Sequence, residues 1–260
     1  MGVRLHVEDD GHGPVVVLAH GFGGSARNWN PQVRALRDEF RIVRYDARGH
    51  ARSEAPDDAA AYSPETFVDD LRAVLDATGA EAAVIGGLSM GAATALRFAI
   101  AHPARVRALV LASYPSGPAW PTGFTAIAER FADAIERDGL DAAGARFVWG
   151  PESGLDERGA KLVRQGFLEH PPHGLVHTLR GVIAKQPSVE SIATALSSVR
   201  AATLVVAGER DAASLAPSHA LLTALPNARL VVVPNSGHVV NLANPAEFNA
   251  VLATLLRELP

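Results

Sequence analysis

Ala82-Ala83-Val84-Ile85-Gly86-Gly87-Leu88-Ser89-Met90-Gly91-Ala92-Ala93-Thr94-Ala95 reads as a buried strand that turns sharply and re-enters as a helix. The apolar run Ala82 to Gly86 has strand character, and an Ala-rich helical pattern begins at Met90. At the joint stands Gly87-Leu88-Ser89-Met90-Gly91. In a Gly-x-Ser-x-Gly turn of this kind the Ser sits on a strained elbow, and the glycines leave room for the chain to double back. Ser89 Oγ is expected above the end of a sheet, at a helix N-terminus whose free N–H groups favour negative charge. The pentapeptide also recurs by chance, so the strand before it and the helix after it carry the reading.

Outward from this elbow, short runs rich in Val, Ile and Leu recur at Val15 to Ala19, Ile42 to Tyr45, Val106 to Ala112, Thr203 to Ala207 and Leu230 to Val233. Continuous apolar runs suit strands buried on both faces, as in a parallel sheet. Helical patterns alternate with them at Pro31 to Glu39, Pro64 to Thr78, Met90 to His102, Leu215 to Leu225 and Pro245 to Leu256. The fold class is therefore α/β, a mostly parallel doubly wound sheet, with Val3 to Glu8 expected as an edge strand.

The alternation stops between about Tyr114 and Val199. That stretch is helical in pattern at Thr122 to Asp138, Asp141 to Trp149, Asp156 to Glu169 and His173 to Lys185, with turn residues such as Pro171-Pro172 between. It is expected to be a helical cap, residues 115–197, inserted in a core formed by residues 1–114 and 198–260.

Composition narrows the partners. Hydrophobic residues make up 48% and charged residues 20% of the 260, a globular balance without an apolar stretch near the roughly 18 residues of a membrane span. A net charge of -4 with scattered Lys and Arg gives no electrostatic reason for binding nucleic acid or an anionic membrane. With no Cys, disulfides, thiolate metal sites and a Cys nucleophile are excluded. The first residues lack a signal-peptide pattern, so the expected location is cytoplasmic. Oligomeric state is not legible.

A Ser hydroxyl needs a base, and the base needs a partner. Asp211 follows the run Thr203 to Ala207 in Gly208-Glu209-Arg210-Asp211, and His238 follows Leu230 to Val233 in Asn235-Ser236-Gly237-His238. Reactive groups in open α/β sheets gather beyond the carboxyl ends of the strands, which is where Ser89, Asp211 and His238 all fall. Glu209 is the rival acid, one residue from its strand and expected to face away. An oxyanion hole is expected from the backbone N–H groups of Met90 and of Phe22, the latter in His20-Gly21-Phe22-Gly23-Gly24. His20 is read as hydrogen-bonded scaffolding in that loop.

The segments His20 to Gly24, Tyr45 to Ser53, Gly87 to Gly91, Gly208 to Asp211 and Gly237-His238 resemble the α/β-hydrolase superfamily over nearly the full chain. Gly86 to Gly91 and Gly237 to Pro245 are similar to its enol-lactonase and small-esterase branch. The resemblance implies a serine hydrolase without cofactor or metal that acts on a small-molecule ester or lactone, with Asp46 to Ser53 as a structural loop where Arg48 and Asp46 pair or cap. Two departures stand out: one strand rather than a pair precedes Val15, and Pro217 comes late after Asp211. Diketone C–C hydrolases share Ser-Met-Gly but usually carry Trp where this chain has Val239, and perhydrolases share the triad. A ligand receptor on a hydrolase scaffold is the non-enzymatic alternative.

Trp120, Phe124, Phe147, Trp149 and Val239 are candidate substrate contacts, although aromatics at helical spacing more often form core, as Phe131 and Phe167 also could. His170, His173 and His177 cluster in sequence, but no acidic third ligand or His-Glu-x-x-His pattern accompanies them, so no metal is expected. Arg130, Arg137, Arg146, Arg164 and Arg180 lie in the insertion; read mostly as solvated helix faces, they favour a neutral ester over a carboxylated lactone.

Overall fold

The computed structural model describes residues 2–115, 121–150 and 157–259, and of residues 121–124 and 158 only the backbone. Seven strands form one sheet in the order β1-β3-β2-β4-β5-β6-β7. They are β1 (Val7–Asp10), β2 (Val15–Ala19), β3 (Arg41–Tyr45), β4 (Ala83–Leu88), β5 (Val106–Ala112), β6 (Ala202–Gly208) and β7 (Ala228–Val233). Only β1 runs antiparallel, against β3; every other neighbour is parallel.

The apolar runs are continuous because both faces of the sheet are covered. Val17, Val43, Ile85, Leu109 and Val205 point into a core shared with α2 (Pro64–Ala77) and α3 (Met90–Ala101). Their neighbours Val16, Ile42, Val84, Val110 and Leu204 point to the other side, against α1 (Asn30–Leu36) and α10 (Pro245–Glu258). Successive strand residues alternate faces, so a strand covered on both sides must be apolar throughout.

The first strand differs from its expectation at Val3 to Glu8. Pairing begins at Val7 opposite Tyr45 and ends at Asp10 opposite Ile42. Because β3 ends at Tyr45, the residues before Val7 have no ladder to join; the Asp46 N–H donates to His6 O at 2.9 Å and the Glu54 N–H to Arg4 O at 3.0 Å instead.

Between β5 and β6 stand α4 (Pro121–Phe147), α5 (Glu157–Phe167), α6 (Pro172–Gly181) and α7 (Ala193–Leu196). The two helices expected at Thr122 to Asp138 and Asp141 to Trp149 are the arms of α4, which bends at Gly139 with φ 81 and ψ 169. These helices have their own core, in which Phe131 stacks on Phe147 with centroids 4.6 Å apart and on Phe167 at 6.0 Å. After β6, α8 (Ala212–Ala224) starts three residues before the predicted Leu215, directly after Asp211. A short α9 (Val240–Ala243), unmarked by any sequence period, follows His238. Among the described residues no helix is long and apolar enough to cross a membrane.

Candidate active site

β4 is fully buried, and its chain reverses at Ser89, which has φ 53 and ψ -114, before α3 begins. A non-Gly residue at positive φ is strained and is held there only by its surroundings. Those surroundings are tight backbone contacts. A Cβ on Gly87 would lie 2.2 Å from Gly91 C, and one on Gly91 would lie 2.2 Å from Ala19 O. The Ser89 N–H is tied to Ala112 O at 2.8 Å, which fixes the elbow to β5.

Loops after β6 and β7 bring the other two residues to it. Ser89 Oγ lies 3.0 Å from His238 Nε2, and His238 Nδ1 lies 2.8 Å from Asp211 Oδ2. A carboxylate only accepts, so Nδ1 carries the proton and Nε2 offers its lone pair to the Ser89 hydroxyl. Asp211 is buried, while the His238 side chain keeps 45% of its surface exposed, so the imidazole opens toward solvent and the carboxylate does not. Burial pushes the Asp211 carboxyl up, but hydrogen bonds from His238 and Ser214 outweigh it and hold the group below the usual carboxylate range. Asp211 therefore stays ionised beside the imidazole.

Glu209 faces elsewhere: its Oε2 accepts from the Asn235 N–H at 2.8 Å and caps that turn. Ser214, which sequence reading passed over, is fully buried with Oγ 3.4 Å from His238 Nδ1. Its signal was available as a small polar residue one helical turn after the acid.

Phe22 and Met90 flank the elbow on the β2 and α3 sides. Among the described residues neither N–H has an acceptor within the chain. The Gly24 N–H donates to Gly21 O at 3.0 Å, closing a tight turn whose second residue is Phe22. His20 sits beneath this loop: the Ala47 N–H donates to its Nε2 at 2.9 Å, and Nδ1 donates to Gly21 O at 2.7 Å. Asp46 Oδ1 caps the Ala26 N–H at 2.7 Å and Asp46 Oδ2 pairs with Arg52, whereas Arg48 makes a bidentate pair with Asp70 at 2.7 Å. Both acids thus hold the loops that support the turn.

The candidate substrate contacts fall differently. Phe147 and Trp149 are half-buried and pack on the aromatic core of the inserted helices; Trp149 meets Phe167 edge-on at 5.5 Å. Val239 is half-buried against the α1/α10 core rather than that cluster. Trp120 and the Phe124 side chain lie outside the described residues. The three insertion histidines are spread over carbonyl oxygens: His170 Nε2 reaches Gly24 O at 2.8 Å, His173 Nε2 Ala55 O at 3.0 Å and His177 Nε2 Asp57 O at 3.1 Å.

Comparison with known proteins agrees with this architecture. The family profile of the alpha/beta hydrolase fold matches residues 14–245. A Bacillus subtilis protein provisionally named 2-succinyl-6-hydroxy-2,4-cyclohexadiene-1-carboxylate synthase is 31% identical, over 98% of this chain and 95% of its own. 3-Oxoadipate enol-lactonase 1 of Acinetobacter baylyi is 26% identical over 99% of this chain and 95% of its own. The solved structure of a thermophilic esterase from Thermogutta terrifontis, with malate bound, superposes with a TM-score of 0.87 at 27% identity, covering 98% of this chain and 94% of that one. With a seven-stranded sheet, an elbow at its centre and kinship along the whole length, the chain belongs to the alpha/beta hydrolase family.

Proposed function

We propose that this chain is a serine hydrolase that cleaves a carboxylic ester or lactone through an acyl-enzyme on Ser89. The observation that carries the reading is the unbroken hydrogen-bonded chain from Asp211 through His238 to Ser89 Oγ, with links of 2.8 and 3.0 Å. In this reading His238 takes the Ser89 proton as Oγ attacks the carbonyl carbon. Asp211 keeps the imidazole in the required tautomer and stabilises its cation. The N–H groups of Phe22 and Met90 receive the oxyanion. His238 returns the proton to the leaving alkoxide, then deprotonates a water that releases the acid and frees Ser89. No cofactor is required by these steps.

The inserted helices, residues 115–197, are proposed as a cap that selects the substrate. A neutral ester suits them better than a carboxylated lactone. Arg137, Arg164 and Arg180 are engaged by surface carboxylates, Arg130 is exposed, and Arg146 lies over the Phe147 ring at 5.3 Å. The synthase named for the Bacillus subtilis relative supplies a second reading, in which the same three residues serve to form a cyclohexadiene carboxylate. That compound is a carboxylate and would call for a free cation at the site, whereas Arg137, Arg164 and Arg180 are already paired with acids.

The test is an organophosphonate probe with a short neutral aryl ester as substrate. The adduct should form on Ser89, and Ser89→Ala should abolish both labelling and nearly all turnover. An adduct on another residue, or full turnover by the Ala variant, would overturn the assignment.

A further inference from the structure

The turn that presents the Phe22 N–H is gripped from the inserted helices. Gly24 closes it through its N–H to Gly21 O, and the Gly24 carbonyl faces His170 Nε2 at 2.8 Å, across 146 residues of chain. His170 is 5% exposed, and its Nδ1 lies 2.9 Å from Gly166 O and 3.2 Å from Phe167 O at the end of α5. Carbonyl oxygens only accept. The ring donates to Gly24 when the proton is on Nε2, and to both sides as imidazolium.

Three further contacts bind the same two segments. Phe22 meets Phe167 and Phe131 edge-on at 6.4 and 5.6 Å. Gly23, at φ 67, lies so close that a Cβ would meet the Phe167 ring at 2.7 Å. Arg27, just past the turn, pairs with Glu169, next to His170. Behind them stands buried His50, with ring centroids 5.2 Å from His20, 5.3 Å from His170 and 5.7 Å from Phe22. The wall of the turn is thus built from both the sheet loops and the insertion, and His170 Nε2 bonds the carbonyl of the turn's last residue, Gly24.

We propose that His170 is a positioning residue of the hydrolytic site. Through Nε2 it holds the Gly24 carbonyl, and with it the Gly21–Gly24 turn, so that the inserted helices set where the Phe22 N–H points. The proposal rests on the reading of Ser89 and Phe22 given above. Its physical basis is that an oxyanion donor acts only when aimed at the developing charge, and a displacement of about 1 Å is enough to cost on the order of 100-fold in rate.

Three substitutions separate this role from a local one. Gln places an N–H donor where Nε2 stands and can keep the bond to Gly24. Asn reaches only the Nδ1 position and keeps the bonds to Gly166 or Phe167. Phe fills the volume and keeps neither. kcat and KM on the aryl ester, the rate of phosphonate labelling of Ser89, and amide exchange over residues 21–27 are measured for each, with thermal melting to show that each is folded. His170→Asn and His170→Phe should lose about 10-fold or more in kcat with KM within about 2-fold, label more slowly and exchange faster over the turn. His170→Gln should stay close to wild type. Asn behaving like wild type, or all three retaining kcat and exchange protection, overturns the proposal. A wild-type chain that neither turns over esters nor labels at Ser89 is a different failure: it sinks the hydrolase reading, and the positioning role falls with it.

Discussion

Replacing Gly91 with Ala puts one carbon where the packing leaves no room. That carbon would stand 2.2 Å from Ala19 O, 2.6 Å from Ala19 C and 2.7 Å from His20 O, all backbone atoms. Carbon and carbonyl oxygen sit comfortably at about 3.3 Å, so the N-terminus of α3 and the end of β2 must separate by roughly 1 Å. Neither yields easily, because Ala19 is paired in the sheet with Tyr45 on one side and Gly87 on the other. Overpacking of this kind costs about 1–3 kcal/mol, and the better helix propensity of Ala returns at most about 1 kcal/mol. For a chain of this size a net loss of about 1–2 kcal/mol lowers Tm by roughly 2–8 °C. Activity should fall further than stability. The shift opens the distance between the Ser89 elbow and the His20–Gly24 loop, and a misplacement of about 1 Å costs on the order of 100-fold in kcat. Gly166→Ala in α5, where an added Cβ meets nothing within 4 Å, is the control and should not lower Tm. Circular dichroism melts and aryl-ester kinetics decide the matter. A Gly91→Ala protein with wild-type Tm and kcat would refute the claim that this glycine is dictated by contact with β2.

Asp211→Asn should lower kcat by about 10⁴-fold, the penalty of losing the partner that sets the His tautomer, while Glu209→Gln should change it little; the reverse ranking would transfer the acid role to Glu209. Acid should weaken the fold before it protonates the carboxylates. His20 is held neutral by burial, its pKa lowered to about 4, and buried His50 is shifted the same way. Below about pH 6.5 the unfolded chain binds protons that these folded rings refuse, so stability is lost as pH falls from there toward 4, by up to about 3 kcal/mol for His20. Urea midpoints that stay flat from pH 7 to 4.5 would contradict that account.

The sheet was legible in the sequence because every central strand is covered on both faces, and double burial leaves an uninterrupted apolar run such as Val106–Ala112. The elbow was legible for a related reason. Gly87 answers a backbone collision with Gly91, four residues on, which local sequence records, whereas Gly91 answers the end of β2, which only the fold brings against it. Ser89, Asp211 and His238 could be named from chain order and strand ends alone, but their union at 2.8 and 3.0 Å depends on loops from three strands meeting above one sheet. The bend of α4 at Gly139 was legible as the break between the helical patterns Thr122 to Asp138 and Asp141 to Trp149, because the glycine there takes a positive φ that ends one arm and starts the next. The aromatics were half legible: helical spacing gives Phe131, Phe147 and Phe167 the same signature whether they line a pocket or form core, the commoner outcome, and their mutual stacking is visible only in the packing. His170 could not be read from sequence at all. Its partner is a backbone carbonyl 146 residues away, and a carbonyl leaves no mark in the identity of the residue that carries it.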